Sequence, residues 1–172
     1  EAENGKDYPY ALRHDLIDQI KSLKKKFPDY ESFKTADMSK IFDEKTLNES
    51  DILITNTLET SIYINKEGFE FEKINIPSEV QFSPVYSINS HDFDGDGDED
   101  ILLGGNLYDV KPEVGIYDAS YGLYLENLGN LKFKYHKDGN GFFVKGEIRD
   151  LLISDKNIFV SKNNDKMEVF KF

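Results

Sequence analysis

Residues 91–105 read HDFDGDGDEDILLGG: five aspartates at alternate positions, Asp92, Asp94, Asp96, Asp98 and Asp100, running into an apolar stretch. Carboxylates a few ångströms apart repel, so such a cluster is costly unless a cation neutralises it or the turn lies open to water. From Asp92 the pattern is D-x-D-x-D-G-x-x-D, with Gly97 at position 6 and Asp100 at position 9. Hard oxygen donors at alternate residues suit Ca2+, which takes roughly six to eight oxygen ligands, and a glycine at the sixth position permits the sharp turn. The carbonyl of Asp98, at position 7, adds a backbone ligand. The spacing thus predicts a Ca2+ site drawn from Asp92, Asp94, Asp96, Asp98 and Asp100. Mg2+ fits less well, because it keeps its waters and resists an all-protein carboxylate cage. An EF-hand is excluded, since position 12 is Leu103 where a bidentate Glu is required. No helical pattern flanks the loop; Asp100 instead opens a strand, so the metal is expected in a hairpin between strands.

That strand has counterparts. Asp51 followed by ILIT, Asp100 followed by ILLG and Asp150 followed by LLIS are alike and stand 49 and 50 residues apart. After each comes a second similar pair, SIYINKEGFEFEKI, GLYLENLGNLKFKY and NIFVSKNNDKMEVFKF. Further β-type runs, PVYSI and GFFVKG, complete a series broken by Gly, Asn and Asp. A period near 50 residues with about four short strands is what a propeller blade needs, its sheet packing face to face on its neighbours. The middle repeat alone has all four runs, so the expected fold is mainly β, a partial β-propeller of two to three four-stranded blades over residues 49–172. A closed propeller typically has about four to eight blades. The chain is therefore expected to be the C-terminal part of a larger propeller, or to assemble with further blades or another chain. A β-sandwich is the alternative.

Ahead of the repeats, residues 1–48 read as a helical cap or insertion. ALRHDLIDQIKSLKKKF, residues 11–27, places Leu12, Leu16, Ile20, Leu23 and Phe27 on one helical stripe, ended by Pro28. A second short helix is expected at residues 37–42, capped by Asp37 or Thr35. Lys24, Lys25 and Lys26 fall where the first helix ends, a favourable place for cations. The formal net charge of −12 opposes a phosphate backbone and argues against nucleic acid as a partner. With no cysteine, disulfides, thiolate nucleophiles and Cys-ligated zinc are excluded. No apolar run approaches the ~20 residues of a membrane span, and the opening EAENGKDYPY lacks the features of a signal peptide.

The segment FDGDGDEDILLGG, set in its 50-residue repeat, resembles the FG-GAP or VCBS repeat, the calcium-binding blade of integrin-like β-propellers; the likeness rests on Asp92, Asp94, Asp96, Gly97, Asp100 and the apolar strand. More broadly, PYALRHDLIDQIKSLKKKF, QFSPVYSINSHDFDGDGDEDILLGGN, YDASYGLYLEN and VKGEIRDLLIS resemble the C-terminal end of large bacterial secreted proteins of the cartilage-acidic-protein-like (ASPIC/UnbV-associated) propeller group. The resemblance implies a secreted or cell-surface location, extracellular or on the bacterial outer membrane, with structural calcium and a scaffold or protein-binding role in place of catalysis. Repeats one and three, FDEKTLNESD and FVKGEIRD, lack the metal pattern, so one calcium site is expected.

Carboxylates held by calcium stay ionised and are spoiled for acid–base work. His14, His91 and His136 do not cluster in sequence, and no nucleophile-elbow, zincin, P-loop or dinucleotide fingerprint is present. The expectation is a non-enzyme. The alternative is a carbohydrate-binding or carbohydrate-acting module using the long loop 106–121, where Tyr108, Tyr117, Asp118 and Tyr121 join aromatic rings to a carboxylate suited to a glycan or peptide. The rival reading has these tyrosines packing across the scaffold.

Overall fold

A computed structural model describes residues 5–172; the first four residues of the expected 1–48 cap lie outside the described residues. The chain divides into two compact units, residues 1–56 and 57–172. The first is helical: α1 (Arg13–Gln19), α2 (Leu23–Lys26), α3 (Tyr30–Phe33), α4 (Met38–Ile41) and α5 (Glu44–Asn48). The single helix expected over 11–27 is broken. Its chain leaves helical geometry at Ile20 (φ −123°, ψ 82°) and restarts at α2. The restart brings Leu23 and Phe27 into a small core with Ala36 and Ile41, against which Leu16, Ile17 and Ile20 pack. The three last helices each begin on an aspartate. Asp29, Asp37 and Asp43 accept from the N–H three residues on, at 2.8, 2.9 and 2.8 Å, satisfying a donor that the helix cannot. The cap at the 37–42 helix is therefore Asp37; the Ser39 hydroxyl and the Lys6 ammonium hold its carboxyl well below the usual range. Lys24, Lys25 and Lys26 do close α2.

The second unit is mainly β, with three antiparallel sheets. β1 (Ile62–Glu67) and β2 (Glu70–Ile74) form a hairpin. β3 (Val85–His91), β4 (Asp100–Gly105), β5 (Leu123–Asn127) and β6 (Phe133–Tyr135) form a four-stranded sheet in sequential order. β7 (Ile148–Ser154), β8 (Asn157–Lys162) and β9 (Glu168–Lys171) form a three-stranded one. Side chains alternate across a strand, and the middle sheet buries both faces. Leu102 and Tyr124, directly paired, point into a core shared with Ile148, Leu151, Ile158 and Val160 of the third sheet. Leu103, Leu123 and Leu125 point the other way, onto Val80 and Ile76.

The glycines ending β4 set how close the neighbours come. A Cβ on Gly104 would stand 2.4 Å from Cγ2 of Ile148, and one on Gly105 would stand 1.9 Å from the carbonyl oxygen of Pro84. Two expected strands do not form. The run DILIT makes no ladder, leaving Ile52, Leu53 and Ile54 80%, 94% and 75% exposed. A strand exists only where an edge receives it, and among the described residues β1 pairs with β2 alone. In GFFVKG, Phe142 and Val144 are buried as core, with Val144 N–H bonded to the Tyr121 carbonyl outside any ladder. Among the described residues no helix is long and apolar enough to cross a membrane.

Candidate metal site

The aspartate loop joins β3 to β4, two strands paired from His91↔Asp100 onward. Within it the carboxylates fold the backbone around themselves. Asp92 accepts from Gly95 N at 2.7 Å and from Gly97 N at 3.1 Å. Asp94 accepts from Asp96 N at 3.1 Å, and Asp96 from Asp98 N at 2.9 Å. These nested turns need Gly95 and Gly97 in left-handed geometry, φ 81° and 97°, which residues with a side chain rarely adopt.

Asp100 is fully buried. Its Oδ2 accepts from Phe93 N at 3.2 Å and from the Tyr124 hydroxyl at 2.8 Å, and its Oδ1 accepts from Asn127 N at 2.8 Å. An ionised carboxylate has about four acceptor positions, so three donors leave capacity toward the loop. Burial first, and the Asp100 hydrogen bond and charge second, raise the Tyr124 phenol far above its ordinary value. Asn127 clasps the loop further, its Nδ2 donating to the Glu99 carbonyl at 3.1 Å.

Asp92, Asp94 and Asp100 converge, each offering an oxygen within 4.8 Å of the others, and no other such metal-competent group occurs among the described residues. Two oxygens that share a cation at the Ca2+ distance of roughly 2.3–2.6 Å stand at most about 5 Å apart, so the trio fits one ion. Asp94 also reports the strain. The Asp96 N–H bond lowers its pKa, yet desolvation and the charges of Asp96, Asp100 and Asp92 outweigh that bond and raise it. A cation would relieve this repulsion.

Asp96 and Asp98 stand outside the trio. Asp96 is turned back onto Asp98 N, and an Asp98 carboxylate oxygen lies 3.4 Å from where Gly129 would carry a Cβ, toward the β5–β6 turn. Sequence reasoning missed Tyr124, Asn127 and the Phe93 N–H, which hold Asp100. The one available signal was the Tyr and Asn recurring in SIYIN and GLYLEN.

The loop 106–121 does not gather its tyrosines. Leu107 and Tyr117 form an isolated bridge. Tyr108 lines one hollow, beside Glu147 and Asn163. Tyr121 lines another, stacked on Phe143 with ring centres 4.5 Å apart. Tyr117 and Asp118 are exposed and belong to neither hollow. The histidines are also dispersed: His14 bonds the Tyr30 hydroxyl, His136 bonds Glu126, and His91 packs edge-on against Phe93 and Phe172.

No protein-family model matches the chain, and searches of curated proteins and of solved structures find no match.

Proposed function

We propose that this chain is a calcium-stabilised β-propeller segment of the FG-GAP or VCBS kind, serving as a scaffold or protein-binding module of a secreted or cell-surface protein. The observation that carries the reading is the convergence of Asp92, Asp94 and Asp100 in a glycine-hinged hairpin loop. The 50-residue period of the sequence motifs at Asp51, Asp100 and Asp150, and the burial of both faces of the middle sheet, support the propeller form. Remaining blades, or another chain, would then be partners.

Asp92, Asp94 and Asp100 would hold the ion, and their negative charge is what it would neutralise. Asp92 orders the turn through Gly95 and Gly97, while Asp100 ties it to β5 through Tyr124 and Asn127. The role is non-enzymatic. The clustered carboxylates serve as acceptors for backbone donors, and each histidine has a local packing or hydrogen-bonding partner. Calorimetric titration of the chelator-treated chain tests the reading. Ca2+ should bind one site in preference to Mg2+, Asp94→Ala should weaken binding at least about tenfold, and Asp98→Ala should leave it close to wild type. Heat-silent titration confirmed by an absence of Tb3+ luminescence would contradict it.

A further inference from the structure

At the opposite end of β4 from the aspartate loop, a solvent-open hollow of about 580 Å3 is lined by Tyr108, Asp109, Glu147, Asn163, Asn164 and Asp165. We propose that it binds a neutral saccharide, a proposal independent of the calcium reading.

Its frame is rigid. Asn106, buried and held at φ 84°, uses its whole amide: Oδ1 accepts from Ser83 Oγ at 2.7 Å and Ser120 N at 3.1 Å, and Nδ2 donates to the carbonyls of Ser120 at 2.7 Å and Gly146 at 2.9 Å. Arg149 reaches from β7 to the Asn106 carbonyl at 2.9 Å and to Glu147 Oε1 at 2.7 Å. Glu147, only 4% exposed, also accepts from Tyr108 N at 2.7 Å and from Asn163 Nδ2 at 2.9 Å. The loop after β4 and the turn after β8 are thereby locked together, so ordering costs little when a ligand arrives.

The lining decides the ligand class. Asp109, Glu147 and Asp165 disfavour an anion. A metal ion is disfavoured too: these carboxylates form no metal-competent group, and Arg149 and Lys162 already pair with Glu147 and Asp165 at 2.7 and 2.9 Å. What remains is the Asp109 carboxylate with the Asn164 amide and the Asn163 side-chain oxygen, a match for hydroxyl groups that both donate and accept. The Tyr108 ring, 39% exposed, gives the apolar face of a pyranose something to rest on. A shallow polar hollow with one aromatic wall suits a polyol better than an apolar molecule.

The test is a glycan array probed with the labelled chain in calcium buffer. The best neutral oligosaccharide is then titrated against wild type, Tyr108→Ala, Asp109→Ala, Tyr121→Ala and Phe69→Ala. Tyr108→Ala keeps the backbone bond to Glu147, so the frame survives. The proposal expects a neutral glycan to bind, with affinity reduced about tenfold by Tyr108→Ala and by Asp109→Ala and unchanged by Phe69→Ala at the β1–β2 turn. It is overturned if only charged glycans or none bind, if Tyr108→Ala and Asp109→Ala leave affinity intact, or if Tyr121→Ala alone abolishes it. Asp94→Ala, titrated in parallel, separates this site from the metal site: loss of Ca2+ binding with glycan binding retained leaves the two readings independent.

Discussion

A carboxylate stripped of water is tolerated only where donors meet it, and Asp100 is met by three. Glu147 follows the same rule at the other end of β4. The Tyr108 N–H, and after it Asn163 and Arg149, depress its pKa below the ordinary 4.5 against the opposing cost of burial. A depressed carboxylate contributes stability that is fully present above its unfolded pKa and lost as pH falls through its folded one. Glu147→Gln should therefore cost about 1–2 kcal/mol at neutral pH, where an ionised acceptor of three hydrogen bonds is replaced by an amide. The gap between wild type and variant, measured by urea unfolding across pH, should hold at neutral pH and shrink once pH drops below about 4.5. A gap independent of pH would show that the ionised form does not supply the stability. Spacing alone brought out Asp92, Asp94 and Asp100, whose carboxylates converge because positions one, three and nine of the motif reach inward together. It did not separate off Asp96 and Asp98, whose carboxylates are directed by backbone turns that no side-chain pattern reveals. Nor did it find Tyr124 or Asn127, since contacts across strands depend on register.

At the scale of elements, alternation and period identified most of the strands. β3 to β6 and β7 to β9 occupy the runs read as strands. DILIT has the same pattern as β4 and β7 yet stays unpaired, because local alternation does not supply the neighbouring edge. The break at Ile20 was hidden for a similar reason: a stripe with steps of three and four is equally compatible with one helix or two offset ones. The two glycines of DILLGG carry a sharper consequence. Gly105→Ala sets a Cβ against the backbone oxygen of Pro84 and should cost about 2–3 kcal/mol, with no side chain able to yield. Gly104→Ala meets the Ile148 side chain instead, so pairing it with Ile148→Ala should recover part of the loss. A double-mutant cycle by chemical denaturation reads this directly; strict additivity would show that the two sheets do not pack through Gly104.

For the whole molecule, two compact units are joined by a segment without regular structure, residues 49–61, in which Ile52, Leu53, Ile54 and Leu58 are 75% to 94% exposed. Limited chymotrypsin digestion should cut first after Leu53 or Leu58, as mass spectrometry of the early fragments would show. First cuts within β3 to β5 would contradict that organisation. Thermal unfolding with and without calcium tests whether the aspartate loop is a cation clasp for the β unit. An ion that binds the folded loop alone stabilises by roughly 2.7 kcal/mol at about 100 times its dissociation constant, which for a chain of this size raises Tm by about 5–10 °C. Wild type should show that rise on moving from excess chelator to saturating Ca2+, and Asp94→Ala should lose it. A wild-type Tm that is the same in chelator and in saturating Ca2+ would contradict it.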